Sequence, residues 1–363
     1  MSMIAQNYSC DGCGGMQKYS PKNQSLTCVF CGTEVKIAQS EPLKENNYEE
    51  TLLEVTIDKD AKAQEIKCIK CASSFSLEPH AFASHCPYCD TPALIDCTQA
   101  IKPDGLLPFV VTRDEAKEKF KAWVSSRWFA PTVFTKYFAN SKILLGTYLP
   151  HWTYDSDTLT QYQGERGDAY YVTVTKTVVE DGKSIQKEVQ ERRIDWSYVA
   201  GVVYVDFDDV IIPASPKVSS SILSALEPWE TKSAKGFNTQ YIAGFEAEEY
   251  TTTLEEGFDF AKEKMASLIE QKIKEDIGGD EQKISSQQTQ YNNIRYKNIL
   301  LPVWTAFFTW KNKEYQYAIN AQTGEVVGDR PYSVTKITFA VLAVATLVAG
   351  IVYFDEIKNI LGI

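Results

Sequence analysis

YSCDGCGGMQKYSPKNQSLTCVFCG, residues 8–32, and IKCIKCASSFSLEPHAFASHCPYCD, residues 66–90, carry the same pattern of sulfur. Cys10 and Cys13 are followed by Cys28 and Cys31, and Cys68 and Cys71 by Cys86 and Cys89, with fourteen residues between the pairs in each stretch. Two Cys-x-x-Cys turns at about this interval have the spacing of a tetrathiolate zinc site. Each turn presents two sulfurs on one side, and the loop between brings a second turn opposite, closing a tetrahedron of soft ligands. Four thiolates leave no position for bound water, so the pattern predicts two structural zinc ions with no catalytic role.

Neighbouring residues agree. Gly14 and Gly15 follow the first knuckle and Gly32 the second, where a backbone folding back toward sulfur favours positive φ. Disulfides or ordinary buried thiols are the competing reading, and the matched repetition favours metal. A thioredoxin-like redox site needs one reactive pair in a βαβ setting, whereas these pairs come in fours. Cys97 has no partner and reads as a small buried apolar residue. His85, beside Cys86, reads as a loop residue because four cysteines already complete the set.

At the other end, ITFAVLAVATLVAGIVYF, residues 337–354, has no charged side chain. At ~1.5 Å per residue it reaches roughly 27 Å, near the roughly 30 Å hydrocarbon core of a bilayer. The expectation is a single transmembrane helix over 333–355 with a short tail at 356–363. Arg330 and Lys336 precede it and Asp355 and Glu356 follow, which keeps the long N-terminal part in the cytoplasm and the protein in the inner, cytoplasmic membrane. The first residues lack the basic and apolar regions of a cleavable signal. A reducing cytoplasm also keeps thiols available for metal. Ala340, Ala343, Ala345, Ala349 and Gly350 would allow close helix packing and self-association.

The chain has 363 residues and a net charge of -11. That balance opposes phosphate binding, which rests on Lys and Arg neutralising several phosphates, and no basic stripe compensates. The expected organisation is zinc ribbon 1 at 1–37, an acidic linker at 38–60 with one short strand at Leu52 to Ile57, zinc ribbon 2 at 61–97, and a mixed α+β cytoplasmic domain at 98–332. That domain opens with a helix capped by Thr112 and Glu115, stopped before Pro131. Strands follow at 143–154, 156–163, 169–179 and 184–196, the last two joined by Asp181-Gly182 as a hairpin turn, with shorter strands near 202–205 and 210–214. A second helix from Leu254 to Ile277 has Thr253 and Glu256 as its capping box and Leu254, Phe258, Ala261, Met265, Leu268, Ile269 and Ile273 as its apolar stripe. Strands at 298–311 and 313–320 close an α+β fold.

One internal echo stands out: Leu149-Pro-His-Trp-Thr153 and Leu301-Pro-Val-Trp-Thr305. Matching core strands from a duplicated half are favoured over a ligand-stacking pair of tryptophans, and His151 reads as a structural histidine. Gly182-Lys-Ser184 is no phosphate loop, because the first glycine of that motif would fall on Thr177 and strands flank both sides. Three histidines, no G-x-S-x-G and no H-E-x-x-H leave the common hydrolase arrangements without footing. Asp155, Asp157, Asp206, Asp208 and Asp209 read as solvated acids rather than catalytic or metal-binding groups. No enzymatic activity is expected.

The two tetracysteine stretches, together with KFKAWVSSRWFAP, LPHWTYDSDT, YQGERGD, LEPWE, DIGGD, ILLPVW and NAQTGEVVGDRP, resemble a family of bacterial membrane proteins with TFIIB-type double zinc ribbons. Members often carry the transferred name primosomal protein N′ (replication factor Y) helicase. A more distant likeness is to YdjG-like proteins associated with membrane stress. The helicase name implies ATP-driven strand separation, which this chain lacks the phosphate loop to support; the shared zinc knuckles account for it. The YdjG-like resemblance implies a membrane-bound adaptor that recruits cytosolic or membrane proteins. The expected function is therefore a membrane-anchored, non-catalytic zinc-ribbon scaffold, touching the bilayer through 337–354 and a protein partner through its cytoplasmic part. Zinc-ribbon binding to nucleic acid, related to replication, is the alternative.

Overall fold

The computed structural model describes residues 3–4, 8–38, 43–54, 64–95, 101–128, 144–180, 183–310, 312–329 and 333–361. Of these, 47% are in strands and 24% in helices, which corrects the expected α+β class to a predominantly β one. The excess lies in three strands far longer than turn-forming residues suggested. The first, Leu145–Glu180, pairs antiparallel with the second, Lys183–Pro213, from His151 opposite Pro213 to Glu180 opposite Lys183. On its other side it pairs antiparallel with the third, Glu281–Trp310, from Leu145 opposite Thr305 to Gly167 opposite Glu281.

The short strands expected between 143 and 214 are pieces of these long ones. Their apparent breaks are bulges: the register shifts at Tyr154/Ser156, at Asp155/Asp157 and at Gln163/Gly164. Polar and glycine residues at these points re-aim a strand without ending it. Asp209 and Asn293 take positive φ there, 53° and 52°. Asp181 and Gly182 lie outside the described residues, as do Cys97 and Pro131. Within the expected linker, Tyr48–Glu54 is helical, so no strand begins at Leu52; residues 55–63 lie outside the described residues.

The two Leu-Pro-x-Trp-Thr copies lie side by side on the first and third strands, Leu149 facing Leu301. Each indole does the same work. Trp152 Nε1 donates to Thr252 O at 3.0 Å and Trp304 Nε1 to Val111 O at 2.9 Å. Each acceptor precedes the threonine of a formed capping box, Thr253 with Glu256 for helix Leu254–Ile277 and Thr112 with Glu115 for helix Arg113–Ser125. The short strand Gly105–Leu106 runs parallel to the third strand, and Glu246–Glu248 runs parallel to the first. The body is thus a duplicated unit about a pseudo-two-fold axis near Leu149 and Leu301, with both tryptophans in core.

Helix Leu254–Ile277 buries Leu254, Phe258, Ala261, Met265, Ile269 and Ile273 against Trp152, Tyr154, Tyr162 and Val203. Leu268, assigned to that stripe by periodicity, is 39% exposed. Gly257 is where the helix comes closest to the sheet, since a Cβ there would stand 2.4 Å from Tyr154 Oη and 2.8 Å from Trp152 Cδ1.

The C-terminal segment forms a helix, Val334–Leu361. Among the described residues, however, no helix is long and apolar enough to cross a membrane. This corrects the expected transmembrane helix at 333–355, the bilayer contact through 337–354 and the single-pass localisation in the cytoplasmic membrane.

Candidate metal centres

The four Cys-x-x-Cys turns are four copies of one backbone device. In each, the N–H of the first cysteine donates to the carbonyl five residues on: Cys10 to Gly15 at 2.6 Å, Cys28 to Thr33 at 2.9 Å, Cys68 to Ser73 at 2.9 Å and Cys86 to Thr91 at 2.8 Å. The first cysteine's carbonyl in turn accepts from the residue four on: Gly14 at 2.8 Å, Gly32 at 3.0 Å, Ala72 at 2.9 Å and Asp90 at 2.9 Å. Those four residues all have positive φ, 69°, 73°, 60° and 56°. The turn closes only through a left-handed residue, and Ala72 and Asp90 adopt it without being glycine.

Strands hold the turns opposite one another. Gln17–Ser20, Ser25–Cys28 and Glu34–Lys36 make an antiparallel sheet in the first unit. In the second, Gln64–Lys67 pairs with Ser74–Leu77, and Ala81–His85 with Pro92–Leu94. Adding 58 to the first unit's numbers (10 to 68, 28 to 86) carries its cysteines onto those of the second, and its last strand onto Pro92–Leu94.

The result is two quartets, Cys10, Cys13, Cys28, Cys31 and Cys68, Cys71, Cys86, Cys89, each able to hold a metal ion, the ligand atoms of each lying within 4.8 Å of one another. The closest sulfurs are Cys10 to Cys31 at 3.6 Å and Cys13 to Cys28 at 3.5 Å, then Cys68 to Cys89 at 3.6 Å and Cys71 to Cys86 at 3.7 Å. A disulfide would require about 2.05 Å. A tetrahedron of sulfurs with metal bonds of ~2.3 Å has edges of ~3.8 Å, close to what is observed. The first cysteine of every pair is buried, Cys10, Cys28, Cys68 and Cys86 being no more than 3% exposed, while the second lies nearer the surface.

Hydroxyls tune the outer sulfurs. Thr33 Oγ1 lies 3.1 Å from Cys31 Sγ and, with its own backbone N–H, pulls that thiol down to about 6. Ser73, through side chain and backbone, brings Cys71 down to about 6. Thr91 Oγ1 is 3.1 Å from Cys89 Sγ and lowers it too. Thiolate, not thiol, is the ligand form. Spacing identifies the cysteines but not these second-layer donors; a Ser or Thr two residues past a knuckle cysteine is the sequence signal for them. Gly15 is a matter of clearance: a Cβ there would meet the Phe30 ring at 2.5 Å and Cys13 and Cys28 Sγ at 3.1 and 3.2 Å.

Both units share a core with the body. From the first, Tyr19 and Leu26 join Phe109, Tyr148, Tyr241 and Phe245. Tyr19 N–H donates to Ala243 O at 2.8 Å and its hydroxyl to Phe109 O at 3.2 Å. From the second, Ala81–His85 pairs antiparallel with Glu246–Glu248, which itself pairs with the first long strand at Thr147 and Tyr148. The second half of this unit, Ala81–His85 with Pro92–Leu94, therefore continues the main sheet, while Gln64–Lys67 and Ser74–Leu77 belong to a separate small sheet.

Of the acids considered, Asp155, Asp208 and Asp209 come together at the bulge. Lys297 already occupies that place, its Nζ 2.8 Å from Asp209, 3.5 Å from Glu45 and 3.8 Å from Asp155. Burial pushes the Asp155 carboxyl up to about 6. With an ammonium supplying the counter-charge, the cluster is a part-buried ion network rather than a cation site. Asp157 lies apart, accepting from Asn293 Nδ2 at 2.6 Å. His151 is buried with Nδ1 2.9 Å from Leu149 O, and burial pushes it down to about 4.

The chain is similar to the uncharacterized protein YdjG of Bacillus subtilis strain 168, with 27% identity over 365 residues, covering 95% of this chain and 98% of that protein. No family model matches the chain. No solved structure matches it either.

Proposed function

We propose that this protein is a non-catalytic scaffold in which two tetrathiolate zinc ions brace the knuckle units against a β body that engages protein partners. The observation that carries this reading is the place of the two sulfur quartets. They close the ends of strands whose other side chains lie in the core of the body, so an ion bound there stabilises the whole molecule. Four sulfurs per site fill a tetrahedral shell, the set that suits zinc and leaves no open position for substrate. Buried Cys10, Cys28, Cys68 and Cys86 point the same way, since a reactive thiol needs access.

Protein partners are favoured over nucleic acid because the net charge of -11 works against phosphate binding. The sequence similarity to YdjG runs nearly the full length of both chains. The test is a salt-titrated binding measurement with the full chain on single- and double-stranded DNA and RNA, alongside metal analysis. The scaffold reading expects two equivalents of zinc and no measurable affinity at low salt. A steep fall of nucleic-acid affinity with rising salt would overturn it in favour of phosphate recognition.

A further inference from the structure

The third long strand starts at Glu281, opposite Gly167, and beyond that point the first and second strands run on alone. From Asp168 opposite Asp195 to Glu180 opposite Lys183 they form a two-stranded ribbon, roughly 40 Å long at ~3.3 Å per residue. A two-stranded ribbon by itself is marginal in water, and an unpaired edge is a template for another strand. The ribbon has no register shift and the second strand has no proline before Pro213, so its edge is guarded by charge alone, and those charges decide which strand it accepts. Among the described residues the second strand pairs only with the first, so its outer edge has no neighbouring strand.

We propose that this edge pairs antiparallel with the same edge of a second copy, Val189 facing Val189. A two-fold axis perpendicular to the joined sheets must set one residue opposite itself. Centres at Lys187, Glu188, Glu191, Arg192 or Arg193 put like charges face to face, and a centre at Gln190 sets Lys187 against Arg193. Within 187–193 only Val189 avoids a like-charge pair. It sets Lys187 opposite Glu191 on both sides of the axis and Glu188 beside Gln190, an amide that can donate to the carboxylate. Val189 already faces Val174 inside the ribbon, and both are half-buried. Pairing two copies lines up Val174, Val189, Val189 and Val174 across four strands. The first strand's outer edge in the ribbon carries only Asp168, Lys176 and Glu180 as charges; centres at Val172 or Val178 match opposite charges there too, but over residues 168–176 or 176–180 only, whereas the Val189 centre pairs residues 183–195.

Sedimentation equilibrium of the full chain tests this, with circular dichroism to confirm folding of each variant. The wild type is expected to dimerise. Glu191→Lys places lysine against lysine twice and should weaken the dimer at least tenfold. The double variant Lys187→Glu/Glu191→Lys restores opposite charges and should regain dimerisation, and an equimolar mixture of the two single variants should form a heterodimer tighter than either homodimer. Glu191 also lies 3.9 Å from Lys176 and 3.8 Å from Arg193 within its own ribbon, and the mixing experiment separates that local effect from pairing between copies. A wild type that stays monomeric at tens of micromolar, a Glu191→Lys variant that dimerises like wild type, or a mixture with no preference for the heterodimer would overturn the proposal, the last two pointing to a different strand as the occupant.

Discussion

In the first knuckle unit glycine stands at both left-handed positions, Gly14 and Gly32; in the second, Ala72 and Asp90 stand there. The sulfur geometry is nevertheless the same to about 0.1–0.2 Å, as in the 3.5 Å of Cys13 to Cys28 and the 3.7 Å of Cys71 to Cys86. A non-glycine residue in that region costs roughly 1–2 kcal/mol, less for Asp, so the second unit starts at a local disadvantage. What offsets it is attachment. Strand Ala81–His85 is hydrogen-bonded into the main sheet, whereas the first unit joins the body through side chains such as Tyr19 and single backbone bonds. One unit is locally relaxed and lightly attached; the other is locally strained and built into the sheet. Loss of metal should therefore spread differently from the two.

The largest expected effect comes from breaking one quartet at a time. Cys86→Ser should leave one equivalent of metal and destabilise the whole body by on the order of 5 kcal/mol, because its unit continues the main sheet. Cys28→Ser should also leave one equivalent, with about half that loss of stability in denaturant titration. Equal losses would erase the distinction between the units. Next in size is Tyr19→Ala, expected to cost about 3–5 kcal/mol by opening a cavity among Phe109, Tyr241 and Phe245. Tyr19→Phe should cost only ~1 kcal/mol, for its bond to Phe109 O.

A reciprocal exchange isolates the backbone. Nothing lies within 4 Å of a Cβ built at Gly14, so Gly14→Ala should cost ~1 kcal/mol through φ alone. Ala72→Gly should return somewhat less, since glycine also gains entropy in the unfolded chain. Thermal melts of the zinc-loaded variants read both.

Smallest is a shift along the pH axis. Cys31 is lowered from 9.0 to about 6, so its thiolate contribution is complete above 9 and is lost as pH falls through about 6. Thr33→Val removes the hydroxyl that does most to lower the Cys31 thiol, and metal release from the first quartet should then begin at higher pH. Release from the second, where Ser73 serves Cys71, should not move. Colorimetric metal release against pH, with Ser73→Ala as the mirror variant, checks the sign.

The sulfur quartets were legible because sulfur spacing depends on one short turn repeated four times, a purely local rule. The two capped helices of the body were legible for the same reason, Thr112 with Glu115 and Thr253 with Glu256 being local capping signals. The fold class was not. Asp155, Gly164 and Asp209 have the composition of turns, and only pairing with two neighbouring strands makes them bulges within a continuous sheet. Residues 281–297 are polar on both faces and gave no period, yet they pair with the first strand along almost their full length. The C-terminal apolar run illustrates the opposite error, where composition alone suggested a membrane span that the described helix does not provide. The repeated Leu-Pro-x-Trp-Thr motif did disclose the duplication, because a buried indole with a fixed carbonyl acceptor constrains sequence on both sides of the axis.

The most direct test of the central claim is metal analysis of the purified full chain combined with stepwise removal of metal by a chelator, following near-ultraviolet circular dichroism from the buried Trp152 and Trp304. Two equivalents of zinc, with the tryptophan signal collapsing as they are withdrawn, is the expected result. A folded protein holding well under two equivalents, or a signal that survives removal of both, would contradict the claim that the sulfur quartets brace the body.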